Sequence, residues 1–273
     1  MKQPAAPQPS ASVILLDPAR GGDEPFGLFL LRRRSQSRFM PNRFVFPGGR
    51  VDPRDGGGDP FGDEALRVCA LRELWEEAGV ILSNDAQAAA RLDPGQREAA
   101  RLRLERGRGD LAGTLEAWGL APAVRALIPY ARWITPEARP QRFDAMFFLA
   151  LMPIGQQAAS DQRETSEGLW IGPSRALAEN REGRVELAPP QVRILGELAG
   201  FPGLKELLGW AGRNRLSTVR PFLWLGGAER VLLLPWDKDY AGRAPTSPAE
   251  ACPAGLASRL VHRDGVWLPF LAA

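Results

Sequence analysis

The pattern of apolar and polar positions divides the chain into short strand-like runs at both ends and a long helix-like stretch between them. Residues 11–16 and 26–33 are apolar runs of strand length separated by Asp17-Pro18 and Gly21-Gly22, which predicts two strands joined by a turn. Phe44-Val45-Phe46 predicts a third strand, ended by Pro47-Gly48-Gly49. After a loop rich in Gly, Asp and Pro, residues 64–78 predict a helix that stops at Gly79, a residue suited to the left-handed conformation of a helix C-terminus. Val80-Ile81-Leu82 then predicts a strand. Residues 84–119 are rich in Ala, Arg, Leu and Glu with no alternating pattern, which predicts a helical insertion of two helices broken around 107–109. Strands are predicted at 126–134, 143–152 and 169–171, helices at 174–179, 190–198 and 204–210, and further strands at 222–224, 231–235 and 266–270. Strands on both sides of a helix imply a mixed sheet. The expected organisation is a flexible tail at 1–9, a main domain at 10–212 and a C-terminal extension at 213–273 packed on that domain.

Composition narrows the chemistry. A chain of 273 residues, 44% hydrophobic and 25% charged, is long enough for one large core. It has no apolar window of membrane-spanning length and no signal-peptide pattern at residues 1–10, so the expectation is a soluble, cytoplasmic protein without a membrane partner. Cys69 and Cys252 lack metal-ligand spacing and are expected to be buried thiols. The net charge of +3 comes from basic residues scattered among 32 acidic ones, which argues against a nucleic-acid partner. A single histidine, His262, removes schemes built on several His ligands, so carboxylates are what remains for catalysis.

The carboxylates are concentrated in Arg72-Glu73-Leu74-Trp75-Glu76-Glu77-Ala78-Gly79-Val80. At about 100° per residue, Glu73, Glu76 and Glu77 share one helix face while Leu71, Leu74 and Ala78 group on another. Such like charges repel on a helix unless a cation lies among them, and oxygen ligands suit Mg²⁺ or Mn²⁺. A solvated face with local Arg72 ion pairs is the plain alternative, but the preceding Gly-Gly turn, loop and closing Gly79 predict backbone amides and carboxylates gathered around one anion site.

These residues resemble the Nudix box, Gly-x5-Glu-x7-Arg-Glu-U-x-Glu-Glu-x-Gly-U with U aliphatic, and the helical half matches at every fixed position. The resemblance implies an α+β fold, an α/β/α sandwich with a mixed sheet, and hydrolysis of a diphosphate linkage with Mg²⁺ or Mn²⁺. Two registers exist upstream. Counting back from Arg72 reaches Gly58 and Glu64, whereas counting forward from Gly49 reaches Asp55. Gly49 is the favoured structural start, with an insertion in the loop, and either Asp55 or Glu64 is the upstream metal ligand. The segment from Arg43 to Pro53, the interrupted box, the helical insertion and Arg142-Phe143-Asp144 are similar to the acyl-CoA diphosphatase branch of the family, a similarity spanning residues 12–177. By that resemblance the substrate is CoA or an acyl-CoA, cleaved to 3′,5′-ADP and a phosphopantetheine product, with a homodimer left open. A second CoA-associated signature is half present, with Arg33 and Arg38 at its arginine positions but Leu31 and Asn42 where it has Thr and Gly. Glu73, Glu76 and Glu77 are then the expected metal ligands, Arg72 their orienting partner, and Arg33, Arg38, Gly48 and Gly49 the substrate contacts. Glu164, in a loop before Leu169-Trp170, is the candidate base beside Glu73.

Overall fold

A computed structural model describes residues 4–270 apart from 38–39, 57, 215, 228, 242 and 244–255. Arg38 and Cys252 therefore lie outside the described residues. Strands β1 (Gln8–Asp17), β2 (Gly27–Arg33), β3 (Phe44–Val45), β4 (Gly48–Arg50), β5 (Ile128–Ile134), β6 (Phe143–Leu151), β7 (Thr165–Ile171) and β8 (Ser217–Val219) form one mixed sheet. β1 and β6 run parallel over nine residue pairs, as do β5 and β8 over three, while β1–β2, β2–β7 and β5–β6 are antiparallel.

The sheet splits where function will matter. β1 and β2 pair only at Leu16–Leu28 and Asp17–Gly27, then separate. Residues 44–50 enter the gap, β3 pairing with the end of β2 and β4 with the start of β1. Val13 N–H donates to Pro47 O at 2.8 Å across the join.

Alternation along the strands gives the sheet two apolar faces. On one face Ala11, Val13, Leu15, Phe29 and Phe148 pack against α1 (Asp63–Ala78) and the inserted helices α2 (Ala86–Arg91), α3 (Pro94–Glu105) and α4 (Leu111–Glu116). On the other, Ile14, Leu16, Leu28, Leu30, Phe147 and Leu149 pack against α5 (Pro173–Arg181), α6 (Pro189–Leu198) and α7 (Leu204–Ala211). The α/β/α sandwich expected from the sequence is what forms.

Several expectations change. Gln8 and Pro9 are not tail but the start of β1, because Phe143 and Asp144 offer them a parallel partner. Residues 80–82 are no strand: both ends of the Gln156 side-chain amide bond Ile81, accepting from its N–H at 2.9 Å and donating to its carbonyl at 2.8 Å. The insertion holds three helices, since Asp93 caps α3 at Gln96 N–H and Pro94 opens it, and Gly107 and Gly109 end it with positive φ.

The C-terminal strands β9 (Phe222–Trp224), β10 (Arg230–Leu233), β11 (Arg259–Arg263) and β12 (Val266–Phe270) form a second, antiparallel sheet. Its Leu223, Leu232 and Leu260 join the core on the α5–α7 side, and Asn180 of α5 donates to Trp267 O at 2.8 Å. The boundary at 212 is crossed in a second way, because β8 extends the main sheet. Among the described residues no helix is long and apolar enough to cross a membrane.

Asp237 locks the second sheet. Its buried carboxylate accepts from Ser258 Oγ at 2.7 Å and from Arg259 Nε and Nη2 at 2.8 and 2.6 Å. Burial works to raise its pKa, but these donors outweigh burial and hold it below the usual 3.8. The folded value is thus the lower one, so the stabilisation is complete above the unfolded value and is lost as pH falls through the folded value. Asp237→Asn is expected to cost roughly 1.5–3 kcal/mol in urea unfolding at neutral pH, a difference that vanishes as pH is lowered below 3.8. An equal cost at every pH would refute it.

Candidate functional site

The site is built where α1 passes the split in the sheet. α1 ends at Gly79, whose φ of 71° and N–H to Trp75 O make a left-handed cap. Leu66, Ala70, Leu74, Trp75 and Ala78 bury its apolar face, and the charged face is covered too: Arg72 is 3% exposed, Glu76 9% and Glu77 4%. The insertion does part of this covering. Arg101 Nε of α3 donates to Glu76 O at 2.8 Å, and Arg97 Nη2 donates to Gly79 O at 3.0 Å. Cations thereby meet the carbonyl end of the box helix, where the helix dipole favours them.

Arg72 is the hub. Its Nε and Nη2 grip Asp55 Oδ1 and Oδ2 at 2.7 and 2.9 Å, Nη2 also donates to Arg50 O at 3.0 Å, and Nη1 reaches Glu73 Oε1 at 2.7 Å and Glu76 Oε2 at 3.0 Å. Burial works against the guanidinium charge, but the bonds it donates to Asp55 and the charge of Glu73 outweigh it and raise the pKa of Arg72. Asp55 is itself fixed by a short 3-10 turn at Pro53–Asp55, in which Asp52 caps Arg54 N–H and Asp55 accepts from Asp52 N–H at 2.8 Å.

The structure places the two candidate positions upstream of the helix differently. The acidic residue six positions after Gly49 is the one that meets Arg72. Glu64 is exposed in the first turn of α1 and lines a different, smaller hollow with Asp63 and Arg67, so the structure does not bring it to Glu73, Glu76 and Glu77. Nine residues of helix, roughly 13 Å of rise, lie between Glu64 and Glu73. Asp55 in turn is committed to Arg72 with both oxygens.

Gly48 and Gly49 are required by close approach. A Cβ on Gly48 would come within 2.2 Å of Ser12 Oγ, and one on Gly49 within 2.4 Å of Glu73 Oε1. Without these atoms, Gly48 N–H donates to Glu77 Oε2 at 2.8 Å. Burial pushes the Glu77 carboxyl well above the ordinary range, with repulsion from Glu73 adding to it. Burial likewise raises Glu76 to about 7 and raises Glu73, Arg72 opposing both.

Glu73, Glu76, Glu77, Arg72, Gly48, Gly49, Arg33 and Glu164 all line one cleft of about 1710 Å³. Glu164 is exposed at its mouth, near enough for its charge to act on both Glu73 and Glu77. Arg33 contributes to the field at Glu77 and has a buried Nε without a partner. Arg43, also in the lining, is already engaged with Glu186 at 2.8 Å and with Gly265 O at 2.7 Å. Glu167 stands outside this cleft and pairs with Arg32 at 3.7 Å. Asp144 forms a structural ion pair, accepting from Arg132 Nε and Nη2 at 2.6 Å each.

The donor set fits a hard divalent cation on the evidence of its own strain. Three carboxylates crowd one helix face, two of them almost fully buried, and Glu76 Oε1 is buried with no hydrogen-bond partner. As the side chains stand, no three His, Cys, Asp or Glu groups among the described residues are gathered tightly enough to cage a cation. Arg72 bonds one oxygen each of Glu73 and Glu76, and Gly48 N–H bonds one of Glu77.

The family model for the NUDT19 Nudix domain matches residues 58–198. The chain belongs to the Nudix family. It is 27% identical over 306 residues to the acyl-coenzyme A diphosphatase NUDT19 of Gallus gallus, covering 85% of this chain and 81% of that protein. The protein of that name from Xenopus laevis is 25% identical over 235 residues, covering 67% of this chain and 62% of its own length. A Nudix hydrolase structure from Alicyclobacillus acidocaldarius superposes with a TM-score of 0.63 at 24% identity, over 77% of this chain and 99% of that one, and shows the shared fold.

The sequence reading missed Arg97 and Arg101, which no local pattern separates from the other arginines of α3. It also missed the residues of α6 and of the second sheet that line the cleft.

Proposed function

We propose that this Nudix protein is a divalent-metal-dependent diphosphatase of CoA or acyl-CoA, releasing 3′,5′-ADP and a phosphopantetheine product. The observation that carries the reaction type is the buried acidic face of α1, with Glu76 Oε1 unpartnered, opening into a cleft far larger than a diphosphate. The names of the relatives support the substrate.

In this reading Glu73, Glu76 and Glu77 would hold Mg²⁺ or Mn²⁺. When bound, such a cation lowers the pKa of water and offsets charge building on the phosphate oxygens. Arg72 holds Glu73 and Glu76 in place by charge-assisted bonds, and Asp55 holds Arg72. Gly48 N–H fixes the Glu77 carboxylate. Arg33, with Nε free inside the cleft lining, offers a donor to a phosphate oxygen. Glu164, solvent-facing and in no ion pair among the described residues, takes the proton from the attacking water, with Glu73 as the other carboxylate in the cleft lining.

A chromatographic screen of CoA, acetyl-CoA, NADH, ADP-ribose and nucleoside triphosphates with Mg²⁺ or Mn²⁺ tests this. The expected outcome is cleavage of CoA or its thioester to 3′,5′-ADP. Preference for ADP-ribose or a triphosphate would overturn the substrate, and no turnover of any diphosphate would overturn the enzyme.

A further inference from the structure

The cleft lined by the glutamates is also lined by a basic corner that the chemistry above does not use. Arg230 and His262 stand opposite each other on β10 and β11, and Leu232 and Leu260 form the pair two residues along. Alternate strand residues share a face, so the face that sends Leu232 and Leu260 into the core carries Arg230 and His262 into the cleft lining. Trp267, opposite His262 on β12, packs its ring 4.9 Å from the imidazole. Arg43, just before β3, reaches the same corner: its Nη2 donates to Gly265 O in the β11–β12 turn at 2.7 Å, and its charge acts on His262.

The corner is electropositive. Burial first, and then the charges of Arg230 and Arg43, hold His262 below its ordinary 6.5, against the opposing pull of the Gly265 carbonyl and Glu186. Glu186 is already paired with Arg43 at 2.8 Å, whereas the exposed Arg230 is in no ion pair among the described residues. Cations set side by side disfavour one another's charge, and an anion bound among them relieves that cost.

The corner is also joined to the reacting centre. Arg33, whose charge acts on Glu77, donates its backbone N–H to Arg43 O at 3.0 Å. Basic residues thus run from the glutamates through Arg33 and Arg43 to His262 and Arg230, which suits a substrate with a second anionic group on one side of its diphosphate. In CoA that group is the 3′-phosphate of the nucleotide half, and the pantetheine arm carries no charge.

Resting on the CoA reading above, we propose that Arg230, His262 and Arg43 form a phosphomonoester subsite for the substrate's 3′-phosphate, which lays the nucleotide half against the C-terminal sheet. Arg230 brings a guanidinium able to grip two phosphate oxygens, and the phosphate, with a charge of about −1.5 to −2, offsets the cations around it.

The test measures kcat and KM for CoA and for dephospho-CoA, which lacks only that phosphate, and inhibition of CoA cleavage by 3′,5′-ADP and by 5′-AMP. It compares wild type with Arg230→Gln, His262→Phe and Arg263→Gln. Arg263 belongs to the same sheet but pairs with Glu229 outside the cleft lining, so its variant controls for net charge. Arg230→Gln changes an exposed side chain and keeps the melting temperature. Wild type is expected to show a lower KM for CoA than for dephospho-CoA. Arg230→Gln and His262→Phe are expected to raise KM for CoA and weaken 3′,5′-ADP inhibition by roughly threefold to tenfold, between the worth of an exposed ion pair and that of a hydrogen bond to a charged group. Their kcat, and their constants for dephospho-CoA and 5′-AMP, stay at the wild-type values. An equal loss toward dephospho-CoA, or the same loss in Arg263→Gln, would overturn the subsite. An unchanged preference for CoA over dephospho-CoA in Arg230→Gln, with wild type cleaving CoA, would overturn this inference alone, and wild type cleaving no CoA compound would overturn both.

Discussion

Glu77→Gln will lower kcat/KM for the diphosphate substrate by at least about 100-fold, since loss of even an outer-shell metal partner costs 10–100-fold, and the variant will be as resistant to heat as the wild type. The two halves of this expectation come from one environment. Glu77 is buried, has a single bond from Gly48 N–H, and faces Glu73, so its charge is a burden to the metal-free fold. Glutamine keeps the shape and the acceptor for Gly48 while removing that charge. Mg²⁺ should raise the melting temperature of the wild type, because a ligand of the folded state stabilises by mass action, and should raise that of Glu77→Gln much less. Kinetics and melting curves with and without Mg²⁺ decide it: a variant that melts early but keeps its turnover would show that Glu77 is structural.

Arg72→Met will destabilise the protein by about 3–5 kcal/mol, the range for removing one partner of a buried ion pair. Arg72 is 3% exposed and is bound to Asp55, Glu73, Glu76 and Arg50 O, so its removal leaves three carboxylates facing one another without a cation of the chain between them. Lysine will not rescue the fold, since a single ammonium cannot reproduce the two-pronged grip on Asp55. Urea unfolding of Arg72→Met, Asp55→Asn and the double variant measures the coupling. The double variant should cost clearly less than the sum of the two. Strict additivity would mean that the pair is not the clamp described.

These expectations show where the sequence spoke plainly. The spacing of Glu73, Glu76 and Glu77 follows from helix geometry, and Gly79 from the need for a left-handed cap, so both were legible without a fold. The α/β/α sandwich was legible through the resemblance carried by those residues. The ambiguity between Asp55 and Glu64 was not resolvable along the chain, because each satisfied a spacing. It took the path of residues 44–55 through the split sheet to bring Asp55 onto Arg72 and leave Glu64 on the surface. The strand expected at residues 80–82 failed for a related reason: a side chain from Gln156, far along the sequence, took the bonds that a strand partner would have made.

The cleft divides in the same way. Its acidic end was determined by the sequence alone, since side chains three and four residues apart on a helix must share a face. Its other walls were decided only by tertiary structure, because Gln191, Leu223, Leu232 and Trp267 come from four separate elements whose patterns read as ordinary core. Periodicity along a chain reports which face of an element is buried, and it says nothing of which distant element covers that face or whether the two meet in full contact or across a cavity.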